Sequence, residues 1–127
     1  MSPLWVWSDD DGQASFRVYA RDGCAVVVAS GEIDLATAEA LREAVGTAAD
    51  ASDRILVDLA SVTFIDMHGF SALLSMRRRR PHGPLSLVRP APMVRKVVRM
   101  ARLDEVFPIY DSMGEALDPS HGQSNDW

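Results

Sequence analysis

Asp58 and Asp66 stand on either side of an apolar stretch, and paired carboxylates are the equipment of general acid–base catalysis. Each has a plainer reading: Asp58 ends a strand, and Asp66 occupies the N-cap of a helix, where its side chain accepts from free backbone N–H groups. The three histidines, His68, His82 and His121, are scattered without metal-ligand spacing, and Cys24 is the lone cysteine. No metal site is expected from that set. The single lysine, Lys96, lies mid-helix and follows no glycine-rich phosphate loop, so nucleotide hydrolysis lacks its usual parts. Catalytic residues and cofactors are therefore not expected. The most informative stretch is instead Thr63-Phe64-Ile65-Asp66-Met67-His68-Gly69-Phe70, which ends an apolar strand and opens an amphipathic helix.

Trp5 and Trp7 alternate ahead of Asp10-Asp11-Gly12, so residues 1–14 form either an edge strand or an arm. Phe16, Val18 and Ala20 alternate with polar neighbours, and Arg21-Asp22-Gly23 turns the chain into a second strand over 25–30. Cys24, at its start, reads as a small buried thiol. Gly31-Glu32-Ile33-Asp34 stops that strand, and Asp34 caps a helix ending near Asp50 whose inner face is Ala38, Leu41, Val45 and Ala48. Ile55-Leu56-Val57 is a short strand buried on both faces. After Asp66, the residues Phe70, Leu73, Leu74 and Arg77 recur at helical spacing. The arginines at 77–80 complement that helix's C-terminal dipole before Pro81 stops it.

Leu85-Ser86-Leu87-Val88 is a further strand. The helix after it sets Val94, Val97, Val98 and Ala101 opposite Arg95, Lys96, Arg99 and Arg102. Residues 106–110 read as an edge strand because Pro108 lacks a ladder donor. Ser112 to Glu115 is a capping box for a short last helix, and 118–127 a flexible tail. An α/β domain over 15–117 results. A phosphorelay receiver would also place an Asp at a strand end, but it needs an acidic pair ending the first strand and a lysine near the last. Here the first strands end in Ala20 and Ser30, and no lysine follows Tyr110.

Composition narrows the function classes. A chain of 127 residues, 47% hydrophobic and 24% charged, suits one soluble domain. No apolar run approaches the ~20 residues of a membrane span. Asp9-Asp10-Asp11 follows too soon for a secretory signal, so a cytoplasmic location without membrane contact is expected. The net charge of −5 argues against direct nucleic-acid binding and for an uncharged or basic protein surface as partner.

Taken in order, Gly31-Glu32-Ile33-Asp34, Ala38-Glu39-Ala40-Leu41-Arg42, Ile55-Leu56-Val57-Asp58-Leu59, Val62-Thr63-Phe64-Ile65-Asp66 with Gly69, and Val106-Phe107-Pro108-Ile109-Tyr110 resemble the STAS domain of bacterial anti-sigma factor antagonists. The resemblance implies a mixed β-sheet of four to five strands with helices packed largely on one side. It also implies a non-enzymatic regulatory binding protein that switches partners to control transcription, meeting a kinase-type anti-sigma factor at the start of the second helix. By that resemblance the partner-binding residues are Asp66, Met67, His68, Gly69 and Phe70. Family members carry a phosphorylated serine directly after the Asp. Here Met67 holds that position, with His68 next to it. Ser61, Thr63, Ser71 and Ser75 are the hydroxyls nearby, and packing or local hydrogen bonds account for them. The expected function is thus an antagonist-like binder that is not phosphorylatable at the usual position. The alternative is a degenerate STAS domain serving as scaffold or subunit of a larger signalling or transport complex.

Overall fold

The computed structural model describes residues 2–79 and 84–118. Three antiparallel strands in a meander come first: β1 (Trp5–Ser8), β2 (Ala14–Arg21) and β3 (Cys24–Ile33). Next come α1 (Leu35–Ala51), β4 (Ile55–Ile65), α2 (Met67–Arg78), β5 (Leu85–Val88) and α3 (Pro92–Met100). A single 3₁₀ turn, Leu103–Glu105, leads into β6 (Ile109–Tyr110) and α4 (Met113–Leu117). The six strands lie side by side in chain order, β1 to β3 antiparallel and β3 to β6 parallel. The sheet therefore has six strands, not four to five. The additional edge is β1, which pairs Trp5 with Val18 and Trp7 with Phe16 and stacks the Trp7 and Phe16 rings at 5.6 Å.

Alternation along the strands divides the buried residues between two faces. Phe16, Val18, Ala25, Val27, Ile55, Val57 and Leu87 join Leu41, Val45, Leu73, Val94 and Val98 in the main core under α1, α2 and α3. On the opposite face Cys24, Val26, Leu56, Val88 and Tyr110 form a smaller cluster with Ala116 of α4. Three of the four helices thus cover one face, as expected.

Two strands run further than their sequences suggest. β3 continues through Gly31, which takes a left-handed φ of +86°, to Ile33. β4 carries on through Asp58 to Ile65, so Asp58 lies inside a strand and does not end one. The strand stays paired with β3 by inserting an extra residue twice: Val28 to Ser30 faces Asp58 to Ser61, and Gly31 to Glu32 faces Val62 to Phe64. These bulges space the buried residues Leu59, Val62 and Ile65 at intervals of three, which hides the period of two. At the other end, only Ile109 and Tyr110 of the expected 106–110 strand pair with β5. Phe107 is buried, held by the turn before them. Arg80, His82 and His121, and all of the expected tail except Asp118, lie outside the described residues.

Candidate functional site

β3 and β4 end together. Their last residues, Ile33 and Ile65, are paired, and each strand passes through one aspartate directly into a helix. Asp34 caps α1 by accepting from Ala36 N at 3.0 Å. Thr37 completes the box, its Oγ1 accepting from Asp34 N at 3.0 Å. Asp66 caps α2 with extended backbone (φ −108°, ψ −172°), its Oδ1 accepting from His68 N at 2.9 Å and Gly69 N at 3.3 Å. Oδ2 lies 3.4 Å from His68 Nδ1, and Asp66 N donates to Ile33 O at 3.1 Å. The α2 entrance is thereby tied to the end of β3 as well as β4.

Partial burial tends to raise the Asp66 pKa, but the hydrogen bonds from the His68 ring and from the amides of Gly69 and His68 outweigh it. They hold the carboxyl below the ordinary aspartate value of 3.8. A depressed carboxylate pKa stabilises the fold above the unfolded value, and that contribution is lost as pH falls through the folded one. Asp66→Ala is accordingly expected to cost about 1 kcal/mol at neutral pH. Urea unfolding of both proteins across the acid range should show this difference shrinking as the wild-type carboxylate protonates. A pH-independent difference would mean that the charge of the cap contributes nothing.

The five residues 66–70 do not all face outward. Met67, the first residue of α2, is 73% exposed, and the His68 side chain is 47% exposed. Gly69 and Phe70 are buried. A Cβ on Gly69 would stand 2.7 Å from both Ile33 Cγ2 and Ile65 Cγ1, so glycine lets α2 sit on the two strand ends. Phe70, 6% exposed, is a core residue beneath the surface and not part of it.

Two exposed apolar side chains that sequence reasoning left out accompany Met67. Leu35 is 70% exposed and begins α1, just as Met67 begins α2, and Phe64 is 46% exposed on β4. The signal for Leu35 was the repeated order of strand, Asp, exposed apolar residue and helix. Phe64 was hidden by the bulges. Of the neighbouring hydroxyls, Ser61, Thr63 and Ser71 are exposed and Ser75 is half-buried. Among the described residues no group of three or more His, Cys, Asp or Glu side chains could hold a metal ion. Among the same residues no helix is long and apolar enough to cross a membrane. The surface offers apolar contact and hydrogen bonding.

Known proteins share this fold. The chain is 30% identical over 104 residues to the anti-sigma-F factor antagonist RsfB of Mycobacterium tuberculosis, an alignment covering 80% of this chain and 85% of RsfB. It superposes on the crystal structure of an anti-sigma factor antagonist from Mycobacterium paratuberculosis with a TM-score of 0.79 at 30% identity, over 92% of this chain and 99% of that one. The anti-sigma factor antagonist SpoIIAA in its unphosphorylated form gives a TM-score of 0.69 at 26% identity, over 84% and 96% of the two chains. Residues 15–116 match the STAS domain, and with nearly the whole described fold inside that match, the chain belongs to the STAS domain family.

Proposed function

We propose that this protein is an anti-sigma factor antagonist that binds a kinase-type anti-sigma factor through the α2 entrance, and that it does so without a phosphoacceptor at residue 67. The observation that carries the reading is Met67 itself, 73% exposed at the first position of a helix whose Asp66 cap is intact. A large apolar side chain kept in water at a helix start, with Phe64 and Leu35 also exposed at that end of the sheet, suits a surface covered by a protein partner. Methionine adapts its shape to such a partner. The relatives' description as anti-sigma factor antagonists supplies the partner's class.

Phosphorylation would add close to two negative charges at this point. A helix N-terminus accommodates anionic charge, so a phosphate here would act on the docked surface and leave the fold intact. Met67 removes that control while keeping the surface apolar. Affinity for the cognate anti-sigma factor, measured by calorimetry at matched folded fraction, is expected to fall at least tenfold in Met67→Asp, or about 1.4 kcal/mol. His68→Ala should weaken binding less. Unchanged affinity in both folded variants would place the interface elsewhere.

A further inference from the structure

On the sheet face away from α1, α2 and α3, a cavity of about 560 Å³ opens between β2, β3, the middle of β4, the end of β5 and α4. It lies well away from the α2 entrance: from Asp58 to Asp66 the extended β4 covers roughly 25 Å. Its floor is Val26 and Val28, with Tyr19 on one side and Met113 of α4 on the other. Its polar groups are Arg21, Asp58 and Arg89.

Asp58 and Arg89 are the unusual pair. The Asp58 side chain is only 7% exposed. It accepts from Arg89 Nη2 at 2.6 Å and from the Ala60 amide at 3.0 Å. Burying the Asp58 carboxylate costs desolvation, which the Arg89 guanidinium and the Ala60 amide offset, so the pair is weak evidence for stability. Arg89 also adopts a left-handed φ of +51°, which side chains other than glycine and asparagine rarely take. With its own N–H bonded to Tyr110 O at 2.8 Å, that backbone holds the guanidinium against Asp58 at the cavity wall. Among the described residues Asp58 is the one acceptor the guanidinium meets, and with the Arg89 side chain 47% exposed, N–H donors remain toward the opening.

The charge balance selects the ligand. Arg21 and Arg89 against the single Asp58 leave the lining one net positive charge, and Asp22, 3.9 Å from Arg21, is exposed and outside the lining. A polyphosphate would be poorly matched, with no lysine and no glycine-rich turn in the lining. A single carboxylate fits a guanidinium fork. The half-buried Tyr19 ring, the Met113 thioether and the valine floor suit a flat apolar body of the size that cavities of a few hundred Å³ hold.

We propose that this cavity binds a small aromatic monocarboxylate, gripped by Arg89 as Asp58 orients it and packed against Tyr19, Val28 and Met113. The test is titration of the ¹⁵N-labelled full chain with indole-3-carboxylate, its neutral amide and tripolyphosphate. The carboxylate is expected to give saturable shifts at the amides of Tyr19, Val26, Val28 and Arg89. The amide should bind at least tenfold more weakly, and tripolyphosphate should leave those signals in place. Arg89→Gln should weaken the carboxylate at least tenfold. Should that variant unfold with Asp58 left unpaired, Val28→Trp, which fills the cavity from a half-buried strand position, must abolish the shifts. Absence of saturable shifts at these residues, equal binding of the amide, preference for tripolyphosphate, or undiminished binding by folded Val28→Trp would each overturn the assignment.

Discussion

Replacing Met67 with serine is expected to turn this protein into a substrate of the kinase-type anti-sigma factor proposed as its partner. The backbone is already in place: Asp66 holds the first turn of α2 through His68 N and Gly69 N, and residue 67 projects into water at the helix start. A serine there would set its hydroxyl next to a helix N-terminus, an environment that stabilises the phosphate once formed. Incubated with the cognate anti-sigma kinase and ATP, the wild-type chain should gain no phosphate at residue 67, because a thioether has no hydroxyl to transfer to. Met67→Ser should gain one phosphate per chain by whole-protein mass spectrometry. The modified variant should bind the anti-sigma factor at least tenfold more weakly than the unmodified one, since the added charge must be desolvated within the contact. Two results would sink this reading. Stoichiometric phosphate on wild-type Ser71 or Thr63, both exposed, would show that the switch had moved along the chain. Folded Met67→Ser that neither accepts phosphate nor binds any kinase-type anti-sigma factor would point to a scaffold.

Local rules made some of this architecture legible and left other parts hidden. The caps Asp34, Asp66 and Ser112 act within three residues of themselves, so their side-chain bonds to Ala36, to His68 and Gly69, and to Glu115 could be anticipated from residue type and position. The helical faces of α1 and α3 were equally plain, because Leu41 and Val45, or Val94 and Val98, recur on a period that burial preserves, although α3 ends at Met100 and leaves the expected Ala101 exposed. What the period of two could not reveal is where β4 ends, since two bulges shift Leu59, Val62 and Ile65 onto one face. The same bulges concealed Phe64 as a surface residue, and the core takes Phe70 despite its place beside the exposed Met67. The Asp58 to Arg89 pair joins residues 31 positions apart across parallel strands. No local pattern announces such a partner, and Asp58 taken alone reads as a strand end.

The second large effect is expected at Gly31, inside the β3 strand. It sits in β3 at φ +86°, opposite Ala14, where a Cβ would come within 1.9 Å of the Gln13 carbonyl oxygen. That neighbour is backbone, and the same oxygen accepts from Glu32 N at 2.9 Å, so it cannot swing aside without breaking the ladder between β2 and β3. Gly31→Ala should therefore cost about 3 kcal/mol or more, combining left-handed strain with the displaced strand. Gly23 isolates the first of these contributions: it has a φ of +81° and nothing within 4 Å of its would-be Cβ, so Gly23→Ala should cost only about 1–2 kcal/mol. Chemical denaturation of the two variants side by side gives the comparison, and equal losses would show that the Gln13 contact relaxes freely. Displacement at Gly31 should also reach the candidate site, because the strand it bends carries Ile33, whose carbonyl accepts from Asp66 N and whose side chain packs against Gly69. Amide hydrogen exchange at Met67, His68 and Gly69 is accordingly expected to accelerate in folded Gly31→Ala and to stay at wild-type rates in Gly23→Ala.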